Sequence, residues 1–317
     1  MKFLPTFSDI EKAHRLISRY VHNTPVFTSS SVNDITGGKL FFKCENFQKV
    51  GAFKFRGACN AVFSLFSDGN KSGKGVATHS SGNHAAALSL AARLRGINAF
   101  IVMPVTAPEI KKKAVAGYGA KIIFCEPTLK SRESTLAEIV DDTGATEIHS
   151  SNDFFVIAGQ GTAAKELIEE TGELDVVMAP VGGGGLISGT ALSVKAMMPG
   201  CRVIGAEPAG ADDAYRSFHS GKLIPSENPE TIADGLLTSL GSRTFAIITD
   251  KVDDIVTVSE EKIKEAMRMI WERMKIIAEP SAAVPLAAIL EGKADVRDKR
   301  VGIILSGGNI DLNKLPF

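Results

Sequence analysis

Four cysteines, Cys44, Cys59, Cys125 and Cys201, are scattered over 317 residues. None stands in a CxxC pair or at a Cys/His spacing that zinc requires, so neither a disulfide scaffold nor a zinc module is expected. The thiols read as small buried hydrophobes of a reducing compartment. There is no excess of either charge: lysine plus arginine total 36 and aspartate plus glutamate total 36. That balance removes the electrostatic case for a nucleic acid partner or an anionic membrane. The opening MKFLPTFSDIEKAHR lacks the apolar core of a secretory signal, and a cytoplasmic protein is expected. The longest uncharged stretch, Val176 to Val194, approaches bilayer length, but Pro180 and four consecutive glycines at its centre would break a spanning helix. It reads instead as strand, loop and helix. No repeat period or low-complexity tract is present. What remains is ordinary globular composition, 44% apolar and 23% charged, in a chain long enough for about two domains.

A first helix is predicted from a capping box, Ser8 with Glu11, and from the apolar stripe Ile10, Ala13, Leu16, Ile17 and Tyr20. Strands are predicted at 40–44, 75–78, 99–103, 121–124, 176–178, 202–205 and 300–305. Helices are predicted at 84–94, 130–141, 158–170 and 260–274. Alternation of strand and helix implies an α/β fold of mainly parallel sheets covered on both faces. Two polar stretches, SDGNKSGKG at 67–75 and HSSND at 149–153, bracket a run of about 75 residues. The expected architecture inserts this smaller domain, 75–150, into a larger one built from 1–70 and 151–317. A ligand would lie in the cleft, at the C-terminal ends of the strands.

Four clusters could carry chemistry. VGGGGLISGT, from Val181 to Thr190, follows an apolar strand and opens a helix. Its glycines let backbone N–H groups converge at a helix N-terminus, which suits a phosphate. It has neither the GxGxxG spacing of dinucleotide sites nor a Walker lysine, since Thr190 stands where lysine is needed. GAFKFRG places Lys54 between Phe53 and Phe55, where partial desolvation would lower its pKa and make the amine nucleophilic, as a Schiff base to an aldehyde demands. Alone, it also reads as a snorkelling lysine on an amphipathic strand. HSSGNH offers Ser80, Ser81, Gly82 and Asn83 between strand and helix, suited to a carboxylate, although a plain N-cap turn uses the same residues. LSGGN ends the last apolar strand at Ser306 and by itself is a turn.

Taken together, GAFKFRGA, SSGNHAAA, VGGGGLISG and ILSGGNIDL, with HNTPVFTSSSVN, IAGQGT, ERMK and AEPSAA, resemble the fold-type II pyridoxal-phosphate enzymes. The likeness covers nearly the whole chain and is closest to the serine racemases and serine/threonine dehydratases. It implies a fold of two domains, each with a mainly parallel sheet flanked by helices, and pyridoxal 5'-phosphate as cofactor. Lys54 would bond the cofactor aldehyde, Phe53 would pack against it, and Gly182, Gly183, Gly184 and Gly185 would hold its phosphate. Asn83 would bond the ring 3'-oxygen and Ser306 the pyridine nitrogen. A serine there need not keep that nitrogen protonated, so the ring is a weaker electron sink than beside an aspartate. Ser80, Ser81, Gly82, Asn83 and His84 would meet the substrate, joined by Arg132 and Ser239, with Glu279 a further candidate for lining the cleft.

The likeness also implies a reaction. Freed Lys54 takes the α-proton, the β-hydroxyl leaves, and hydrolysis gives an oxo acid and ammonia. Ser81, across the cofactor plane from the lysine in the racemases, would be the second base that permits racemisation. GAEPAGADDAYRS resembles the family's cation site, with Glu207, Asp213 and the carbonyl of Ala211 as hard oxygen ligands for Mg2+, Ca2+ or Mn2+. Without the likeness it would read as a solvated acidic loop. The asparagine expected after His149 is unassigned between Ser151 and Asn152. Lys111, Tyr118, Lys275 and Asn309 match the nucleotide set of the animal racemases, whereas Ser31 and Val50 depart from it, which argues against ATP regulation. The likeness implies a homodimer. The leading expectation is a serine racemase that also dehydrates L-serine and L-threonine. The alternatives are a dehydratase of threo-3-hydroxyaspartate or threonine with little racemisation, and a non-catalytic phosphate-ligand protein on the same fold.

Overall fold

The computed structural model describes residues 3–65 and 74–317, so the polar stretch expected as a boundary at 67–75 lies outside the described residues except for Lys74 and Gly75. The strands are β1 (Val26–Phe27), β2 (Lys39–Cys44), β3 (Val76–His79), β4 (Ala99–Pro104), β5 (Lys121–Cys125), β6 (Thr146–Glu147), β7 (Val176–Pro180), β8 (Arg202–Pro208), β9 (Asp254–Val258) and β10 (Arg300–Leu305). They form two sheets, one in the order β1-β2-β10-β7-β8-β9 and one in the order β5-β4-β3-β6. Every pairing is parallel except the edge pair β1–β2. The fold is therefore two α/β domains, as the alternation of strand and helix predicts.

The larger sheet is buried on both faces, which is why its strands read as continuous apolar runs. Leu40, Val301 and Val176 stand in one row across three strands. Successive residues then point to opposite faces. Met178 and Ile303 pack with the helices Glu260–Met269 and Pro280–Leu290, while Val177 and Ile304 pack with Phe154–Thr171 and Gly185–Met197. Full burial of each such side chain is worth ~1.5–3 kcal/mol. The smaller sheet shares a core with the helix Lys54–Leu65: Phe55, Ala58 and Val62 lie with Val76, Leu88 and Ile101.

The IAGQGT motif explains how two of the chemical clusters come to share one support. A Cβ at Gly159 would lie 2.7 Å from the Arg56 carbonyl oxygen and from Gly57 Cα, and one at Gly189 would lie 2.5 Å from the Gly161 nitrogen. Helix Phe154–Thr171 is thus in backbone contact with both the helix that begins at Lys54 and the helix that follows the glycine loop. Arg56, fully buried, locks the same region. Its Nε lies 2.7 Å from Glu45 Oε2 and its Nη2 2.7 Å from Glu166 Oε2, while Lys43 Nζ reaches that same Glu166 oxygen at 2.8 Å.

Some boundaries differ from the sequence reading. The first helix is Phe7–Ile17, and its start is capped by Thr6, whose N–H and Oγ1 both donate to Asp9, rather than by Ser8 and Glu11. Tyr20 lies past its end. Helix Phe154–Thr171 begins four residues earlier than expected because Asp153 accepts from the Val156 amide. The α-helix expected over 260–274 ends at Met269 and widens to a π-turn, Ile270–Met274. Lys54 opens a helix rather than sitting on a strand. Strands β1, β6 and β9 were not anticipated; the first two are only two residues long, and β9 carries the polar pair Asp254 and Thr257.

Candidate active site

Lys54 sits where the two sheets meet. The Phe53 amide donates to the Ser306 carbonyl at 2.9 Å, and Ala52 bridges to Gly307, so the turn into the lysine is docked on the end of β10. The Lys54 ammonium donates to the Ser150 carbonyl at 2.8 Å and lies 5.2 Å from the Phe53 ring centre. Desolvation pushes its pKa down to about 8, with the Glu279 carboxylate opposing. An amine near that value is a far better nucleophile and proton acceptor at neutral pH than an ordinary lysine.

The glycine loop leads from β7 into helix Gly185–Met197. Gly184 has φ +81, and a Cβ at Gly183 would fall 2.3 Å from Ser151 Oγ. The amides of Gly182 to Gly185 have no backbone acceptor among the described residues. A concave row of free N–H groups at a helix N-terminus, too tight for side chains, fits a phosphate. The unassigned pair after His149 separates here. Ser151 lies against Gly183 and Gly185, whereas Asn152 turns away and accepts from the Arg243 amide at 2.8 Å.

The SSGNH turn follows β3. The Ser80 amide pairs with the Val102 carbonyl, Ser80 Oγ accepts from the Gly82 amide at 3.3 Å, and a Cβ at Gly82 would meet open space. The Ser81 hydroxyl is half-buried and unengaged among the described residues. Asn83 Nδ2 donates to Glu279 Oε1 at 3.0 Å, and Asn309 Nδ2 donates to Asn83 Oδ1 at 2.9 Å. Glu279 is buried, and burial pushes its pKa up to about 7, with Asp234 adding repulsion. The His84 ring, 2% exposed, is turned into the protein: Nε2 lies 3.1 Å from the Ile148 carbonyl, and Nδ1 has no partner. Burial, then the Lys54 charge, push it down to about 3, so it is neutral with the proton on Nε2. Only its backbone is left to face a substrate. His149 is held down near 4 by burial, and its Nδ1 accepts the Ser151 and Asn152 amides.

Arg132 lies in the first turn of helix Leu129–Thr143. Its Nε is buried without a hydrogen-bond partner, and among the described residues no carboxylate pairs with it. It is close enough to His79 that, after burial, its charge is the main force holding that imidazole below its usual pKa. Ser239 accepts from the Ser226 amide at 2.8 Å. Lys111 pairs with Asp234 at 2.6 Å, and Asn309 is occupied with Asn83 and Val50.

Glu207, at the end of β8, accepts the Ala214 and Tyr215 amides at 3.1 and 2.8 Å. Burial pushes it up to about 9, and the neighbouring Asp213 carboxylate adds to this. Asp213 Oδ2 accepts from the Leu240 amide, Oδ1 is buried with no partner, and burial raises this carboxyl to about 6. Two buried carboxylates that repel, one with an orphaned oxygen, make a donor set suited to a hard cation. No group of three His, Cys, Asp or Glu side chains converges among the described residues. No described helix is long and apolar enough to cross a membrane.

A buried lysine at a helix start, docked on a strand end, with a glycine loop suited to phosphate and a polar turn between two mainly parallel sheets, defines a class, and comparison with known families names it. A family model described as pyridoxal-phosphate dependent enzyme matches residues 17–307. The chain belongs to that family; it is an enzyme of fold type II, related to the racemases and lyases, and its cofactor is pyridoxal phosphate. Among individual proteins it is 52% identical over 315 residues to a beta-hydroxyaspartate dehydratase of Paracoccus denitrificans (strain Pd 1222), covering 99% of each chain. It superposes on maize serine racemase with a TM-score of 0.95 at 47% identity, covering 98% of this chain and 95% of that one. A pyridoxal 5'-phosphate-dependent aspartate racemase gives 0.93 at 38% identity, covering 100% and 99%. Family membership sets aside the non-catalytic reading.

Two contacts had no signal in the sequence reading, although Asn83 and Glu279 were each named there. The Ser150 carbonyl is a backbone group and leaves none. The cross-sheet pairing of Glu279 with Asn83 spans 196 positions.

Proposed function

We propose that this enzyme dehydrates β-hydroxy amino acids bearing a second carboxylate, 3-hydroxyaspartate foremost, to a 2-oxo acid and ammonia. The observation that carries the reading is Arg132, a guanidinium with a buried, unpaired Nε beside His79 at the mouth of the SSGNH turn. Leaving a buried cationic donor unsatisfied costs about 1–3 kcal/mol or more, which a substrate carboxylate would recover. The kinship with a hydroxyaspartate dehydratase and an aspartate racemase supports the same reading.

The residues divide the work as follows. The amides of Gly182 to Gly185 hold the cofactor phosphate, and Asn83 and Ser306 face its ring. Bound there, pyridoxal phosphate delocalises the electron pair left at Cα. Ser80 and the amides of its turn bind the α-carboxylate, and Arg132 binds the distal one. Lys54, poised near pH 8, takes the Cα proton. The β-hydroxyl leaves as water, and hydrolysis returns that water and releases ammonia, so the net reaction is deamination. Glu207, Asp213 and the Ala211 carbonyl would hold Mg2+ or a similar cation, whose charge would favour the ionised carboxylates and brace the loop into helix Asp213–Ser220.

A second activity, racemisation of serine, is favoured by one observation. The Ser81 hydroxyl makes no hydrogen bond among the described residues, which leaves it available there as an acid or base. The substrate reading is tested with Arg132→Ala: kcat/KM for 3-hydroxyaspartate should fall at least ~10-fold more than for L-serine, as loss of a charge-assisted bond predicts. Equal losses on both substrates would overturn it.

A further inference from the structure

Glu279 is a buried carboxylate where two segments distant in sequence converge on it, one at Asn83 and one at Gly307 and Asn309. Both its oxygens lie within reach of Asn83 Nδ2, at 3.0 and 3.3 Å, and Oε2 accepts the Asn309 amide at 3.1 Å. Asn309 spends both side-chain N–H groups, one on Asn83 Oδ1 at 2.9 Å and one on the Val50 carbonyl at 2.7 Å. Val50 itself has φ +58, a strained conformation for a β-branched residue, just ahead of Lys54. A Cβ at Gly307, next to Ser306, would lie 2.7 Å from Glu279 Oε1. Donor and acceptor logic then leaves one solution for the Asn83 amide. Its oxygen must face Asn309 Nδ2, which is held as a donor by the Val50 carbonyl, and one N–H must face Glu279, which when ionised only accepts. A single N–H remains.

We propose that Glu279 is a positioning residue: its carboxylate fixes the Asn83 carboxamide in the orientation that leaves one N–H for the cofactor ring, and ties that turn to the Lys54 segment. This rests on reading Asn83 as a cofactor-side residue.

The test is a titration of the full-length apo-protein with pyridoxal phosphate, read by visible absorbance, with cooperative melting of each apo-variant as the check on folding. Glu279→Ala and Asn83→Ala should each weaken cofactor binding about tenfold and alter the absorbance band in the same way, as loss of one charge-assisted contact predicts. The double variant should be no weaker than the worse single, because both changes remove the same interaction. Losses that multiply would overturn the proposal. Should Glu279→Ala fail to fold, Glu279→Asp keeps the charge but withdraws it from Asn83, and should reproduce the weakening. Unchanged affinity in that variant, with Asn83→Ala impaired, overturns the inference alone. An Asn83→Ala protein that binds and absorbs like wild type overturns the cofactor-side reading and the inference with it.

Discussion

The lowered pKa of Lys54 has a kinetic consequence that can be worked out in advance. Only the neutral amine attacks the cofactor aldehyde. At pH 7 about 0.03% of an ordinary lysine at 10.5 is neutral, against ~9% for one at about 8, a gain of ~300-fold. The sign follows from the cause: desolvation disfavours the ammonium, so the neutral form is reached at lower pH. Stopped-flow mixing of apo-protein with excess pyridoxal phosphate should therefore give an attachment rate that rises about tenfold per pH unit up to pH 8 and then levels. The burial that lowers this pKa also tunes the apo-fold. Between about pH 8 and 10.5 the unfolded chain holds a proton on this lysine that the folded chain does not, so apo-protein stability rises across that window. An attachment rate still climbing tenfold per unit through pH 9 and 10 would refute the reasoning, because Lys54 would then titrate like an exposed lysine.

Three more outcomes are expected. Ser81→Ala should cut D-serine formation from L-serine by ~100-fold or more while leaving ammonia release within a few-fold, since general base catalysis is worth about that much; chiral chromatography beside an ammonia assay reads both, and equal losses would deny a face-specific base. Chelator should lower the melting temperature of the holoenzyme and added Mg2+ restore it, because a cation bound by Glu207 and Asp213 stabilises only the fold that brings them together; a melting curve indifferent to chelator removes the cation from the Glu207–Asp213 pair. Gly159→Ala should destabilise the fold by about 1–3 kcal/mol or more, read from the urea midpoint, because the new methyl would sit 2.7 Å from the Arg56 carbonyl.

What could be read from the sequence followed the physics of each feature. The larger sheet was legible because strands buried on both faces are apolar throughout, as in β7 and β10. The glycine loop was legible because only glycine tolerates its close contacts with Ser151 and Thr244. Strand β9 was hidden by its polar edge position in DIVTV, and the first helix was placed two residues late because Thr6 and Asp9 compete with Ser8 and Glu11 for the same capping pattern. The division between Ser151 and Asn152 needed the fold, since only the third dimension puts one against the phosphate cradle and the other on Arg243. Glu279 entered the sequence reading only as a candidate for lining the cleft; its partners at 83 and 309 arrive from distant segments, and no local spacing announces them. His84 shows the converse. A histidine in a polar turn invites a substrate role, yet its ring is the buried brace of the Ile148 carbonyl.

The most direct test of the central claim is the product profile of purified wild-type holoenzyme with threo-3-hydroxyaspartate, L-serine and L-threonine, measuring 2-oxo acid, ammonia and D-amino acid together. The account predicts the highest kcat/KM for release of oxo acid from 3-hydroxyaspartate. Turnover of serine alone, with hydroxyaspartate neither consumed nor inhibitory, would contradict it.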